Sequence, residues 1–149
     1  MKNNNLNQTL EKYFKETNIV KAETLKNCKN DIIKAAKLIA KQLKQSKKIL
    51  ICGNGGSAGN AIHLANDFLY GIASHIPGPG MKVEALPANS AVLTCLANDV
   101  GYSEIYAEQL LVKADADDLL VVLSGSGNSP NVIRALEAGN EIGMKTFAI

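Results

Sequence analysis

Leu119-Leu120-Val121-Val122-Leu123-Ser124-Gly125-Ser126-Gly127-Asn128-Ser129-Pro130 is the stretch that decides the fold. A short, uninterrupted aliphatic run of this kind reads as a strand covered on both faces. Ser129 before Pro130 reads as a helix start, because a serine oxygen at the N-cap accepts from an orphan N–H and proline loses nothing at the first helical position. The same order of strand, small-residue loop and helix recurs upstream. There Ile49-Leu50-Ile51-Cys52 runs into Gly53-Asn54-Gly55-Gly56-Ser57, with Ser57 expected as the N-cap.

Working outward, short aliphatic runs alternate with helical patterns from Ile49 onward. Strands are predicted at 48–52, 83–86, 118–123 and 145–149, and helices at 57–71, about 90–97, 103–113 and 130–142. That alternation specifies an α/β fold, a parallel sheet sandwiched between helices in the flavodoxin/Rossmann-like manner. Residues 6–46 read as a helical arm with a break near Thr17-Asn18. We expect a single domain over 1–149, with an arm at 1–47 and an α/β core at 48–149. Pro77-Gly78-Pro79-Gly80 marks a connecting loop over 73–81, in which His75 is expected to be solvated. Thr146-Phe147-Ala148-Ile149 reads as a buried central strand that has only begun, so we expect the sequence to be truncated at its C-terminal end.

Hydrophobic residues make up 46% and charged residues 20% of the chain, and no apolar run approaches the ~20 residues of a membrane span. Neither a signal-peptide core nor a transit pattern follows Met1, so the expected location is cytoplasmic. Cys28, Cys52 and Cys95 match no disulfide or zinc spacing and read as reduced, mostly buried thiols. The net charge of +2 hides a division. Residues 1–48 carry twelve lysines against Glu11, Glu16, Glu23 and Asp31, giving +8, whereas the remainder carries four basic and ten acidic groups, giving −6. Lys34, Lys37, Lys41, Lys44 and Lys48 recur at helical spacing opposite Ile32, Ala36, Ile39 and Leu43, an amphipathic pattern. A lysine stripe without interleaved aromatics reads as a solvated face, and neither a nucleic acid nor a membrane is the expected partner.

The two loops bring backbone N–H groups, hydroxyls and helix N-termini together, which suits an anionic, hydroxyl-rich ligand such as a phosphorylated sugar. Gly53-x-Gly55 also invites a dinucleotide reading, but Ala58 stands at the third glycine position and nothing in that reading explains the second serine loop. His63 and Asp67, four apart on one helix, face the same way and suit joint metal binding or proton transfer; they equally suit a plain surface contact. Two ligands alone do not make a zinc site.

CGNGGSAGNAIHLAND at 52–67, LANDVGYSEIYAEQ at 96–109 and LSGSGNSPNVIRALEAGNEIGMKT at 123–146 resemble the sugar isomerase (SIS) family, in its branch acting on sedoheptulose 7-phosphate. The resemblance implies a five-stranded parallel sheet, an N-terminal helical arm and a homotetramer with active sites between subunits. It further implies ketose–aldose isomerisation of sedoheptulose 7-phosphate to a heptose 7-phosphate for cell-surface polysaccharide precursors. By position, Asn54, Gly55, Gly56 and Ser57 match sugar-phosphate contacts, Asn98 and Asp99 match a pair that reaches the sugar, and Ser124, Ser126 and Ser129 match phosphate-loop serines. His63 matches a zinc ligand. Asp67 stands where the family usually has a glutamate that is both zinc ligand and catalytic base, and Gly125 where it usually has threonine. The family's further ligands would fall beyond Ile149. These departures leave an alternative, a non-catalytic SIS module that binds a sugar phosphate or a protein partner, as replication-initiator-associating proteins do.

Overall fold

Ile49–Gly53 (β1), Val83–Ala85 (β2), Leu119–Leu123 (β3) and Lys145–Ala148 (β4) form one sheet in the order β2-β1-β3-β4, every neighbouring pair parallel. The computed structural model describes residues 3–71, 75 and 80–149. Helices Asn3–Lys44 (α1), Gly56–Asn66 (α2), Ser90–Asp99 (α3), Ala107–Lys113 (α4) and Pro130–Ile142 (α5) complete the framework. Four strands, rather than the five implied by the resemblance, are present among the described residues. β4 occupies the edge and is only partly covered, not buried and central as its composition suggested. The loop expected over 73–81 lies largely outside the described residues; His75 is exposed.

Both central strands are buried along their whole length. Successive side chains of a strand point to opposite faces. Leu50 and Cys52 of β1 and Leu120 and Val122 of β3 therefore share one face, where they join a core with Tyr106, Leu110, Val132, Ala135 and Ala138. Val132, Ala135 and Ala138 recur every three residues, the stripe by which α5 lies on the sheet. Ala61 and Ala65 are the buried positions of α2, and their small side chains suit close helix–sheet contact. Cys52 is the only buried thiol; Cys28 and Cys95 are exposed, contrary to expectation.

The chain divides into two compact units, 1–38 and 39–149, so the boundary falls inside α1. In the first unit the expected break at Thr17-Asn18 does not occur. The Thr17 hydroxyl donates to the Tyr13 carbonyl at 2.8 Å, which satisfies it within the helix instead of drawing the backbone into a turn. Leu6, Leu10, Tyr13, Phe14 and Val20 are exposed, as are Ile32 and Ala36, which the amphipathic pattern had placed on the buried side. No helix among the described residues is long and apolar enough to cross a membrane.

Lys48 does not extend the lysine stripe, because α1 has ended before it. It serves as a staple at the amino edge of the sheet. Asp118 is buried and accepts from the backbone N–H of Lys48 and of Asp115, both at 2.9 Å. The Lys48 ammonium lies 2.8 Å from Asp115 and 3.4 Å from Asp118, and it also donates to the Lys113 carbonyl. The hydrogen bond from Lys48 holds the Asp115 carboxyl below the usual carboxylate range. A carboxyl depressed in this way contributes stability above its unfolded pKa, and that contribution is lost as pH falls through the folded value, below about pH 4. In urea titrations Asp118→Ala is expected to cost about 3 kcal/mol, since two backbone donors and an ammonium lose a buried acceptor. Asp115→Ala, on the exposed side of the same lysine, is expected to cost far less; equal losses would contradict this account of the staple.

Candidate active site

β1 lies between β2 and β3, so the chain moves to one side of β1 to build β2 and returns to the other side to build β3. The carboxyl ends of β1 and β3 thus flank the point where strand order reverses, the crevice in which open α/β sheets bind ligands. Both small-residue loops leave the sheet there. Gly53 sits beside Leu123 in register, and a Cβ on it would lie 2.7 Å from the Leu123 carbonyl oxygen and 2.8 Å from the Ser57 Cβ. Only glycine lets the two strand ends stand this close.

Gly55, at φ 53° and ψ −119°, is the N-cap of α2, a left-handed conformation that glycine adopts without strain. Ser57 therefore lies inside the first turn and is not the cap expected from the sequence. Its N–H and that of Ala58 are bonded to the Asn54 carbonyl at 2.9 and 3.3 Å. The preceding N–H groups, of Gly55 and Gly56, are the helix-start donors that have no intrahelical acceptor. In the second loop the Ser124 and Ser126 oxygens accept from the N–H groups of Gly127 and Asn128 at 3.1 and 3.3 Å, so both hydroxyls keep their protons for another acceptor. Ser129 occupies the N-cap of α5 but makes no side-chain cap bond. The N–H groups of Val132 and Ile133 go to its backbone carbonyl instead, both at 3.0 Å, and its hydroxyl is left for other work.

Asn54 and Asn131 tie the loops together. Each amide nitrogen donates to the other residue's amide oxygen at 2.8 Å. The Tyr106 hydroxyl is 2.5 Å from the Gly53 carbonyl and 3.2 Å from the Asn54 amide oxygen, and the Tyr102 hydroxyl approaches that oxygen at 3.4 Å. Burial pushes the Tyr106 phenol well above its ordinary pKa, so it stays a neutral donor; burial likewise pushes the Cys52 thiol up to about 12 and leaves it inert. Sequence reasoning missed Asn131, Tyr102 and Tyr106. A polar residue directly after Pro130 in a helix start was the one available signal, whereas Tyr106, between Ile105 and Ala107, reads as an ordinary core aromatic.

α2 ends at Asn66, and Asp67–Gly71 winds on as a single π turn, a feature often found at functional positions. His63 Nε2 and Asp67 Oδ2 are 3.5 Å apart, with the histidine exposed and the aspartate half-buried. Two donors of one tetrahedral zinc ion, each about 2.0–2.2 Å from it, stand about 3.4 Å apart, so the pair fits half a ligand set. Among the described residues no group of three or more His, Cys, Asp or Glu side chains completes it. Asn98 and Asp99 close α3 on an exposed stretch, where Asn98 donates to Asp99 at 2.8 Å. That bond, with a weaker one from Cys95, holds the Asp99 carboxyl below its ordinary pKa. Their side chains are shown with each other, while nearby Tyr102 is the residue of this segment that reaches Asn54. A groove of about 530 Å³ between α3 and α4, lined by Val92, Cys95, Leu96, Gln109 and Val112, is apolar and offers no cluster of N–H or hydroxyl donors for an anion.

The SIS domain profile matches residues 12–149. Phosphoheptose isomerase from Chlorobaculum parvum is 39% identical over 128 residues, which are 85% of this chain and 61% of that protein. The phosphoheptose isomerase of Thermodesulfovibrio yellowstonii is 39% identical over 139 residues, 93% of this chain and 68% of that one. The chain thus spans about three fifths to two thirds of the length of these relatives. Among solved structures, phosphoheptose isomerase GmhA from Neisseria gonorrhoeae superposes with a TM-score of 0.87 at 34% identity, covering 96% of this chain and 73% of that one. A phosphoheptose isomerase from Francisella tularensis gives 0.88 at 31% identity, covering 95% and 73%.

Gly53→Ala is expected to cost about 2 kcal/mol, because the new methyl meets a backbone carbonyl that cannot rotate away. Thermal denaturation checks this, and a variant melting with the parent would show that the strand ends are free to part.

Proposed function

The chain belongs to the SIS domain family, and on that premise we propose that it is a ketose–aldose isomerase that converts sedoheptulose 7-phosphate to a heptose 7-phosphate for cell-surface polysaccharide precursors. The observation that carries this reading is the pair of donor-rich loops held side by side at the carboxyl ends of β1 and β3. The N–H groups of Gly55 and Gly56 and the hydroxyls of Ser57, Ser124, Ser126 and Ser129 would take the phosphate, and the dipoles of α2 and α5 add to their pull. Asn54, Asn98 and Asp99 would address the sugar hydroxyls.

Asp67 would act as the base, taking a proton from C1 of the ketose and returning it to C2 while a second proton passes between the two oxygens. The intermediate is an enediolate, whose charge the loop donors help to offset. His63 and Asp67 would also supply two zinc ligands; zinc, when bound, polarises the sugar oxygens. An aspartate withdraws the carboxylate by one methylene relative to the family's usual glutamate, so the sugar must sit correspondingly closer to α2.

Assembly follows from the first unit. Leu6, Leu10, Tyr13 and Val20 fall at three- and four-residue steps through Thr17 and are exposed, an apolar stripe that water disfavours. We place it in a homotetramer interface. Sedimentation velocity is expected to give four times the chain mass, and Leu10→Glu with Tyr13→Glu is expected to lower it; a monomeric parent protein would contradict the assignment.

Deuterium exchange from solvent into the ketose, followed by NMR, tests the chemistry. Asp67→Asn is expected to slow exchange about 10³-fold with less than a threefold change in sugar-phosphate affinity. Exchange at the parent rate in that variant would remove Asp67 as the base, and ligand uptake by the parent protein with no exchange would make the chain a binding module instead.

A further inference from the structure

Asn131 belongs to neither loop's expected ligand contacts, yet it is 1% exposed and forms both bonds of the amide pair with Asn54. A side chain so buried cannot itself reach a ligand over the loops. It is also a group that burial penalises unless both ends of its amide are satisfied, and here Asn54 meets both. The pair joins residues 77 apart in sequence, one in the turn after β1 and one in the first turn of α5. We propose that Asn131 is a positioning residue that locks the Asn54 side chain and sets the separation of the two loops.

The lock has a chemical consequence. The Asn54 oxygen has two lone pairs, and it already receives Asn131 Nδ2 with Tyr106 and Tyr102 close by. Its nitrogen spends one N–H on Asn131 and keeps the other. Asn54 thus meets a ligand as a donor, and what it recognises is an acceptor oxygen, of a phosphoryl or a sugar hydroxyl group. Nearby Tyr106 reinforces the same orientation from below, since its hydroxyl holds the Gly53 carbonyl, which immediately precedes Asn54.

This inference rests on the phosphosugar reading for its ligand but not for its geometry, so two measurements are paired. In the first, hydrogen exchange of the Asn54 side-chain amide is followed by NMR in the parent protein and in Asn131→Leu, which keeps the branching and the number of side-chain heavy atoms and removes both bonds. Protection is expected to fall at least tenfold. In the second, calorimetric titration with sedoheptulose 7-phosphate is expected to show affinity at least tenfold weaker in Asn131→Leu. Ala138→Gly, elsewhere on α5, supplies a destabilised control whose affinity is expected to stay within twofold of the parent. Asn131→Asp, which still accepts from the Asn54 nitrogen but cannot donate to its oxygen, is expected to fall between and gives a second variant should the leucine not fold. Unchanged Asn54 protection, or an affinity loss in Asn131→Leu no larger than in Ala138→Gly, overturns the proposal. If the parent binds no sugar phosphate while Asn54 still loses protection in the variant, the lock stands and the phosphosugar reading fails.

Discussion

The close approach of two strand ends governs this molecule. Gly53 and Leu123 stand in register with no room for a Cβ between Gly53 and the facing carbonyl, and from that point the two loops diverge by only a few residues before each enters a helix. Everything that makes the site depends on this spacing. The amide pair of Asn54 and Asn131 can close only if the turns emerge side by side, and the N-termini of α2 and α5 then add their partial positive charges in one place. At the opposite edge of the same strands Lys48, Asp115 and Asp118 fix the start of β1 against the start of β3. The strands are thereby held at both ends, and a rigid base of this kind is what a site made of loops requires.

Much of this was legible in the residues. Aliphatic runs without alternation announced strands covered on both faces, and β1 and β3 are buried throughout. The helix expected at 130–142 is found at those residues because Pro130 favours a first helical position and Gly143, left-handed at φ 85°, stops it. What misled was local competition for hydrogen bonds. Ser57 and Ser129 both carry the right side chain for a cap, yet the backbone carbonyls of Gly55 and Ser129 already take the N–H groups of Gly59 and Val132 that such caps would use. Thr17 reads as a helix breaker until its hydroxyl is seen bonded one turn back. Lys48 follows the lysine period, but the helix that sets the period has ended before it. Asn131 was invisible for a different reason. A buried amide is explained only by the partner that satisfies it, and Asn54 lies far away in sequence.

The departures from the family's usual residues fall close to the proposed chemistry. Gly125 leaves the second loop with serine hydroxyls alone, and Asp67 gives a shorter carboxylate at the start of a π turn. Neither affects the framework, because Gly125 has open space around it and Asp67 belongs to no core cluster. The fold therefore tolerates them, and on the proposed reading their effect would fall on the reaction. Binding and turnover would then be separable: the two small-residue loops are built on β1 and β3, whereas His63 and Asp67 lie at the far end of α2 and in the turn that follows it.

Backbone amide shifts of the protein titrated with inorganic phosphate test the central claim most directly. If the two turns hold one anion, residues 55–57, 125–129 and 131 shift together along a single saturable curve. Shifts confined to one turn, or centred on the groove between α3 and α4, would contradict it.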